Sequence, residues 1–378
     1  MRALINAFLI HFTLNILIFL KGWHAFEGKK GARAVLAVVF GTELLIYTTG
    51  FLFYRHIPEA ITQFIRVMGT SWMLFLLYAG GLWLLIDLFY LIWKKQLLKP
   101  LRTVKTQPRK TRMIVFMVPV VIVAGIMTHG RYQFMHPVVQ QVPVTVNKPA
   151  GSLDSVRIAV IGDLHLGWMI GRDHAKRFVD LIMAQQPDLI LFVGDILDSH
   201  IEPILEQRMD EELERLSAPL GVYSCTGNHE YRFEAEQKIQ WLNDAGIGML
   251  RDSALLIDSA FYVVGREDWV VPTRKPLRDI LRDQQVDMSR PVIVLNHSPY
   301  DLDEEVDAGA DIALYGHTHH GQVFPGNIAT EIVFEVAHGY KKKGGTHVYV
   351  TSGIGLVGPQ YRIGTVSEMV MLTVRFRE

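Results

Sequence analysis

Five short tracts carry residues suited to holding metal ions. They are Gly162-Asp163-Leu164-His165, Gly194-Asp195, Gly227-Asn228-His229-Glu230, Asn296-His297 and Gly316-His317-Thr318-His319. Each follows a compact, mostly apolar run of the kind that forms a buried strand: 156–161, 189–193, 221–226, 291–295 and 311–315. Open α/β sheets present their chemistry at the carboxyl ends of strands, so five such ends gather these side chains into one place. Asp163, His165, Asp195, Asn228, His297, His317 and His319 are seven oxygen or nitrogen donors. One ion takes about four to six, so seven suit two ions sharing a bridging carboxylate. Two ions about 3.5–4 Å apart can bind both a nucleophilic hydroxide and phosphoryl oxygens. No thiolate belongs to the set, so the expected cofactors are two hard or borderline divalent ions, Mn, Zn, Fe or Mg.

The elements that must position these residues alternate along the chain from Ser155. Helical patterns cover Asp173 to Gln186, Ile204 to Leu216, Phe233 to Ala245 and Pro276 to Gln284. Leu255-Leu256-Ile257 and Phe261 to Gly265 read as a hairpin, and the chain closes on strands at Val348 to Val350 and Met369 to Val374. Val142 to Val146 alternates weakly and tolerates Pro143 as an edge strand. Together they predict a layered α/β sandwich over residues 155–378, reached through a linker at 129–154.

The 378 residues carry no net charge, so nothing in the total points to nucleic acid, and none is expected as a partner. The single cysteine, Cys225, excludes an intrachain disulfide and a cysteine-rich metal site; its place in a strand-like run suits a packed core. Residues 1–128 differ from the rest. Ala3 to Leu20, Ala34 to Tyr54, Val67 to Trp93 and Met113 to Met127 are long apolar runs, read as four transmembrane helices with the fourth short. The loop with Lys21, Lys29, Lys30 and Arg33 is basic, as is 94–112; the loop between Arg55 and Arg66 is not. The basic loops belong in the cytoplasm, which puts the catalytic domain on the extracytoplasmic side. Glu43 and Asp87 lie inside the spans, where a carboxylate marks either a function or a hydrogen bond to a neighbouring helix.

In order and spacing, the motifs from Gly-Asp-x-His to Gly-His-Thr-His resemble the calcineurin-like metallophosphoesterase family. The extension Gly-His-Thr-His-His-Gly-Gln and the later Thr351-Ser352-Gly353-Ile354-Gly355 through Arg362 resemble its membrane-associated YkuE/YaeI-like branch. The resemblance implies an α/β/β/α sandwich over about 155–375. It also implies one metal on Asp163, His165 and His319, a second on Asn228, His297 and His317, and Asp195 bridging both. His229 is then no ligand but the catalytic group, touching substrate and protonating the leaving alkoxide, a task suited to an imidazole titrating near neutrality. Asp198 is a candidate for ordering the Asp195 loop, and Glu230 for stabilising its turn. Arg362 is a candidate phosphate contact or salt bridge, and Trp168 and Met169 a pocket wall, a membrane-facing lip or ordinary core. His174, His200, His320 and His338 read as structural or exposed. The expected protein is thus a membrane-anchored two-metal phosphoesterase attacking a phosphate ester, lipid-linked or soluble, with a metal-bound hydroxide. A metal-binding sensor and a transporter accessory domain without turnover are the alternatives.

Overall fold

A computed structural model describes residues 2–53, 59–93 and 109–377. The chain divides into two compact units, Met1–His129 with Gly358–Gln360, and Gly130–Val357 with Tyr361–Glu378. The first holds helices α1 (Arg2–Ala25), α2 (Lys30–Phe53), α3 (Glu59–Trp93) and most of α4 (Arg109–Met135), each long and apolar enough to cross a membrane. Phe40, Leu76, Ala79, Trp83, Phe116 and Val123 pack between them. Leu17, Val38, Leu85 and Val121 face outward, so the helices present aliphatic side chains on their outer as well as their packed sides. Both carboxylates inside the spans have partners: Glu43 lies 3.1 Å from His11 Nε2 and 2.5 Å from Asn15 Nδ2, and Asp87 pairs with Lys21. The fourth helix is longer than its apolar run, because apolarity counts bilayer thickness while the backbone ladder continues until Pro137 forbids it. Arg55 and the basic residues of 94–108 lie outside the described residues.

The second unit is built on two six-stranded sheets. One has the order β1 (Val138–Val146), β12 (Glu368–Phe376), β2 (Ser155–Ile161), β3 (Leu189–Phe192), β4 (Val222–Ser224), β5 (Gly248–Met249). The other runs β10 (Gly339–Lys343), β11 (Thr346–Val350), β9 (Ile312–Tyr315), β8 (Val292–Leu295), β7 (Phe261–Gly265), β6 (Ser253–Ile257). Side-chain parity explains the layers. Ile158 and Val160 point between the sheets, where they meet Leu189, Leu191, Val263, Ile293 and Leu314. Ala159 and Ile161 point the other way, onto Phe178, Val179 and Ile182 of α5 (Arg172–Ala184). On the far side of the second sheet, Val264, Val292 and Val294 cover Leu277, Ile280 and Leu281 of α9 (Leu277–Asp283). This is the α/β/β/α sandwich that the sequence predicts. Strands β2, β3 and β4 are parallel neighbours, as are β7, β8 and β9, so their carboxyl ends open at common edges.

Within 129–154, α4 runs on to Met135 and β1 pairs along its whole length with β12. The helix expected over 204–216 is two short ones, α6 (Glu202–Glu206) and α7 (Asp210–Leu213), parted by Arg208 at φ +50°. Helix α8 (Ala235–Asp244) and the β6–β7 hairpin lie where expected. Helix α10 (Asp303–Asp307), helix α11 (Gly326–Val333) and β10 were not foreseen, since 326–333 lacks buried residues and β10 reads Gly-Tyr-Lys-Lys-Lys. Cys225 is buried between the sheets.

His174 on α5 stacks 5.4 Å from Phe134, and its Nε2 is buried without a partner. Burial, then the charges of Arg131 and Arg177, push its pKa down to about 4. A histidine so depressed stabilises the fold fully above its unfolded value near 6.5. That contribution is lost as pH falls toward 4, because only the unfolded chain takes up the proton. Thermal melting of wild type and His174→Phe between pH 7 and pH 4 should therefore diverge, with the variant losing less of its melting temperature on acidification. Parallel losses would show that His174 is not a source of acid sensitivity.

Candidate metal centre

The five strand ends do converge. Asp163 and His165 follow β2, Asp195 follows β3, Asn228 and His229 follow β4, His297 follows β8, and His317 and His319 follow β9. Five of the seven candidate ligands, Asp163, His165, Asp195, His317 and His319, have positive φ, between 48° and 69°. Side-chain-bearing residues seldom adopt this region, at a cost of about 1–3 kcal/mol each, so the surrounding packing must impose it. Close approach of backbone is part of the imposition. A Cβ on Gly316 would lie 2.6 Å from Asp163 Oδ2, and one on Gly227 would collide with Asp195 Oδ1. Glycine at 316 and 227 is therefore demanded by the neighbouring carboxylates, while Gly162 makes room for Thr351 and Val193 and Gly194 for the Gly227 backbone.

The donor atoms form two groups that meet at one carboxylate. His165 Nε2 lies 3.0 Å from His319 Nε2, and Asp163 Oδ1 lies 3.8 Å and 3.6 Å from these two nitrogens. In the other group, His317 Nδ1 lies 3.0 Å from Asn228 Oδ1 and 3.3 Å from His297 Nε2. Asp195 Oδ2 is 3.1 Å from His297 Nε2 and 3.7 Å from His165 Nε2, so one oxygen faces both groups. Asp163–His165–His319 and Asp195–His297–His317 each place a ligand atom from every member within 4.8 Å of the others.

The chemistry of this donor set fits a cation. His297 Nδ1 donates to the Val193 carbonyl at 2.7 Å, which leaves Nε2 an acceptor lone pair in the neutral ring. That lone pair points at a carboxylate oxygen, an acceptor facing an acceptor. His165 and His319 likewise oppose ring nitrogens. Such contacts are relieved only by a proton or a metal ion between them. Without an ion the protons are distributed unequally. Burial opposes charge on His297, but Asp195 outweighs it and raises that pKa well above the usual value. Burial and the nearby His165 and Arg362 push His319 down to about 3, against the pull of Asp163. Asp163 is lowered to about 2, because His319, His165 and His297 together outweigh its burial.

Around the donors sits a set of positioning contacts. Glu230, fully buried, accepts the backbone N–H groups of Gly227 at 2.7 Å, Asp195 at 2.9 Å and Leu197 at 3.1 Å, and so ties the β4 motif to the β3 motif. Asp195 Oδ1 in turn accepts the His229 N–H at 2.8 Å. His229 Nδ1 lies 2.7 Å from Asp198 Oδ1, and the buried Lys238 ammonium donates to the His229 carbonyl at 2.6 Å and the Ser199 carbonyl at 3.1 Å. His229, His165 and Asp195 also place ligand atoms within 4.8 Å, but the contact with Asp198 occupies one of the two His229 nitrogens.

Arg362 is neither the phosphate contact nor the surface salt bridge expected. It is wholly buried and donates to the carbonyls of His319, Ser352, Gly353 and Gly355 at 2.6–2.9 Å, clamping the loop that carries His319. His320 lies 3.4 Å from Glu331 and stacks on His338, whose Nε2 lies 3.1 Å from the buried Glu368. His200 stacks on Phe233. Met169 packs on the core and Trp168 is half-buried. Lys238 and Tyr300, whose hydroxyl lies 3.2 Å from His317 Nε2, were not singled out from sequence; a lone lysine on a helix and a tyrosine three residues after a motif give no signal.

Residues 156–321 match the calcineurin-like phosphoesterase family. This segment is a calcineurin-like metallophosphoesterase domain. The family is dimetal-dependent, and its members are metal-dependent hydrolases. The chain is 30% identical over 256 residues to the zebrafish "Transmembrane protein with metallophosphoesterase domain", a match covering 63% of this chain and 57% of that relative. It is 27% identical over 266 residues to an uncharacterized metallophosphoesterase of Aquifex aeolicus, covering 68% of this chain and 98% of the relative. The Bacillus subtilis metallophosphoesterase YkuE is 27% identical over 233 residues, with coverage of 59% and 80%. Among solved structures, a 5′-nucleotidase precursor from Thermus thermophilus aligns at TM-score 0.36 and 14% identity, over 58% of this chain and 54% of that one. Four membrane-length helices and a relative named as a transmembrane protein associate the metallophosphoesterase domain with a membrane.

Because Glu230 serves three backbone donors, Glu230→Gln must leave at least one facing an amide N–H₂. Stability should fall by about 2–4 kcal/mol in denaturant titration, and metal content should fall with it, though Glu230 is no ligand candidate. Unchanged stability and metal content would remove Glu230 from the account.

Proposed function

We propose that this chain is a membrane-anchored two-metal phosphoesterase that hydrolyses a phosphate ester. The observation that carries this reading is the single oxygen, Asp195 Oδ2, facing His165 on one side and His297 on the other. Asp163, His165 and His319 would hold one ion, Asn228, His297 and His317 the other, and Asp195 both. Two divalent ions there would supply Lewis acidity, activating a water and neutralising charge on the phosphoryl oxygens. The protein's own part is to hold the leaving group's proton. His229 keeps one nitrogen on Asp198 at 2.7 Å, which fixes the ring and leaves the other nitrogen for the leaving oxygen. Cys225 does not serve as a covalent nucleophile: it is fully buried, and burial raises its thiol pKa.

The chain would cross the membrane four times through residues 1–128, continue through 129–154, and place 155–378 on the extracytoplasmic side. The basic loops at 21–33 and 94–112 support that orientation. It would exclude cytosolic nucleotides as routine substrates and favour phosphoesters of the envelope or outer leaflet, a lipid-linked headgroup among them.

His229→Ala should keep its metals, because the ligands assemble without it, and lose about 10²–10⁴-fold in the chemical step. A nitrophenolate leaves unaided, so a nitrophenyl ester should suffer less than an alkyl ester. Equal slowing of both substrates with loss of one ion would mean that His229 serves the metals rather than the leaving group. A compartment-sensitive reporter fused after Glu378 tests the orientation. Activity on the extracytoplasmic side is expected, and activity in the cytoplasm alone would reverse the assignment.

A further inference from the structure

The metal centre has an apolar rim on the His317 side. Tyr300 leans on His317, ring centroids 5.6 Å apart, and on Phe334 at 5.4 Å; Trp269 meets Tyr300 edge-on at 6.3 Å. Phe334 directly follows α11, none of whose residues is buried. Ile328, Ile332 and Val333 are 46%, 80% and 68% exposed; Ile328 and Ile332, four residues apart, share one face, and Val333 adjoins Ile332 at the helix end. Tyr300 and Trp269 are 58% and 41% exposed. Among the nearby carboxylates, Glu335 is matched by Lys341 and Lys343 at 2.8 Å and 2.7 Å, and Glu331 faces the His320 ring at 3.4 Å. A patch of large aliphatic side chains continuous with a Trp and a Tyr is costly against water. It matches the bilayer interface, where Trp and Tyr collect and short apolar helices lie in the plane. The same polypeptide carries four helices long and apolar enough to cross a membrane.

We propose that the rim formed by Trp269, Tyr300, Phe334 and the exposed Ile328, Ile332 and Val333 of α11 seats in the bilayer interface, so that the metal centre takes a membrane phospholipid as its phosphoester. The substrate half rests on the two-metal phosphoesterase reading; the docking half does not. Once seated, the apolar face contacts acyl chains while the neighbouring His317 lies at headgroup depth, where a lipid phosphate resides.

The test uses the full chain reconstituted in phosphatidylcholine/phosphatidylglycerol vesicles. A polarity-sensitive fluorophore is placed at Ile332→Cys, at Ile328→Cys and, for comparison, at the exposed Glu206→Cys. The labels at 332 and 328 should be quenched by nitroxide-bearing lipids and shielded from aqueous iodide, and the label at 206 should behave oppositely. Iodide quenching at 332 and 328 as strong as at 206 would overturn the docking. Shielding from both quenchers would do the same, because it means a protein surface covers the face. Hydrolysis is then compared on a headgroup-labelled phospholipid in these vesicles and on soluble bis(p-nitrophenyl) phosphate. Ile332→Asp with Val333→Asp should slow the lipid reaction about tenfold and leave the soluble one within about twofold. Wild-type protein that hydrolyses the soluble ester but not the lipid overturns the substrate class. Wild-type protein inert on both with every divalent metal overturns the phosphoesterase reading itself, while the quenching still decides the docking.

Discussion

Asp195 is a carboxylate at 2% exposure, at positive φ, with one oxygen turned to two histidines and the other to the His229 backbone. Burying that charge is tolerable only because every neighbour answers it. Burial by itself would raise its pKa, but the charge and hydrogen bond of His297, with His165 and His229, hold it well below the carboxylate range. The rest of the site follows from keeping it there. Glu230 holds its N–H and that of Gly227, Gly227 leaves room for its side chain, and the β3 and β4 ends are thereby locked together. The buried clamps Lys238 and Arg362 do the same for the His229 and His319 loops, spending cationic hydrogen bonds on backbone carbonyls that would otherwise be unsatisfied.

The donor set was legible because it is local. Each motif is a strand end of a few residues, and types, glycines and preceding apolar runs lie side by side in the chain. The layers were legible for the same reason, since alternating burial along β2 and helical spacing along α5 are short-range patterns. What the sequence hid is long-range or inverted. Arg362 looked like a ligand contact because arginine beside glycines suggests phosphate. Only the fold shows four carbonyls converging on it. Asp198 suits the ordering of the Asp195 loop by sequence, but its bond to His229 joins residues 31 positions apart. Helix α11 escaped because a helix with no buried face carries no core-directed periodicity.

Two apolar surfaces among the described residues have different origins. The outward sides of α1 to α4 carry many exposed aliphatic residues, among them Leu17, Val38, Leu85 and Val121. The rim beside His317 is a small apolar patch on an otherwise polar α/β domain, and it begins one side chain away from the donors. Recognition and chemistry are therefore adjacent, and the apolar residues there sit on a short helix and loops, while the donors sit on strand ends fixed by the sheets.

Metal stoichiometry is the direct test of the account, since the geometry at Asp195 has a purpose only if two ions share it. Full-length protein, saturated with Mn or Zn and freed of excess by gel filtration, should carry two ions per chain by inductively coupled plasma mass spectrometry. One ion or none per folded chain would contradict the shared-carboxylate centre.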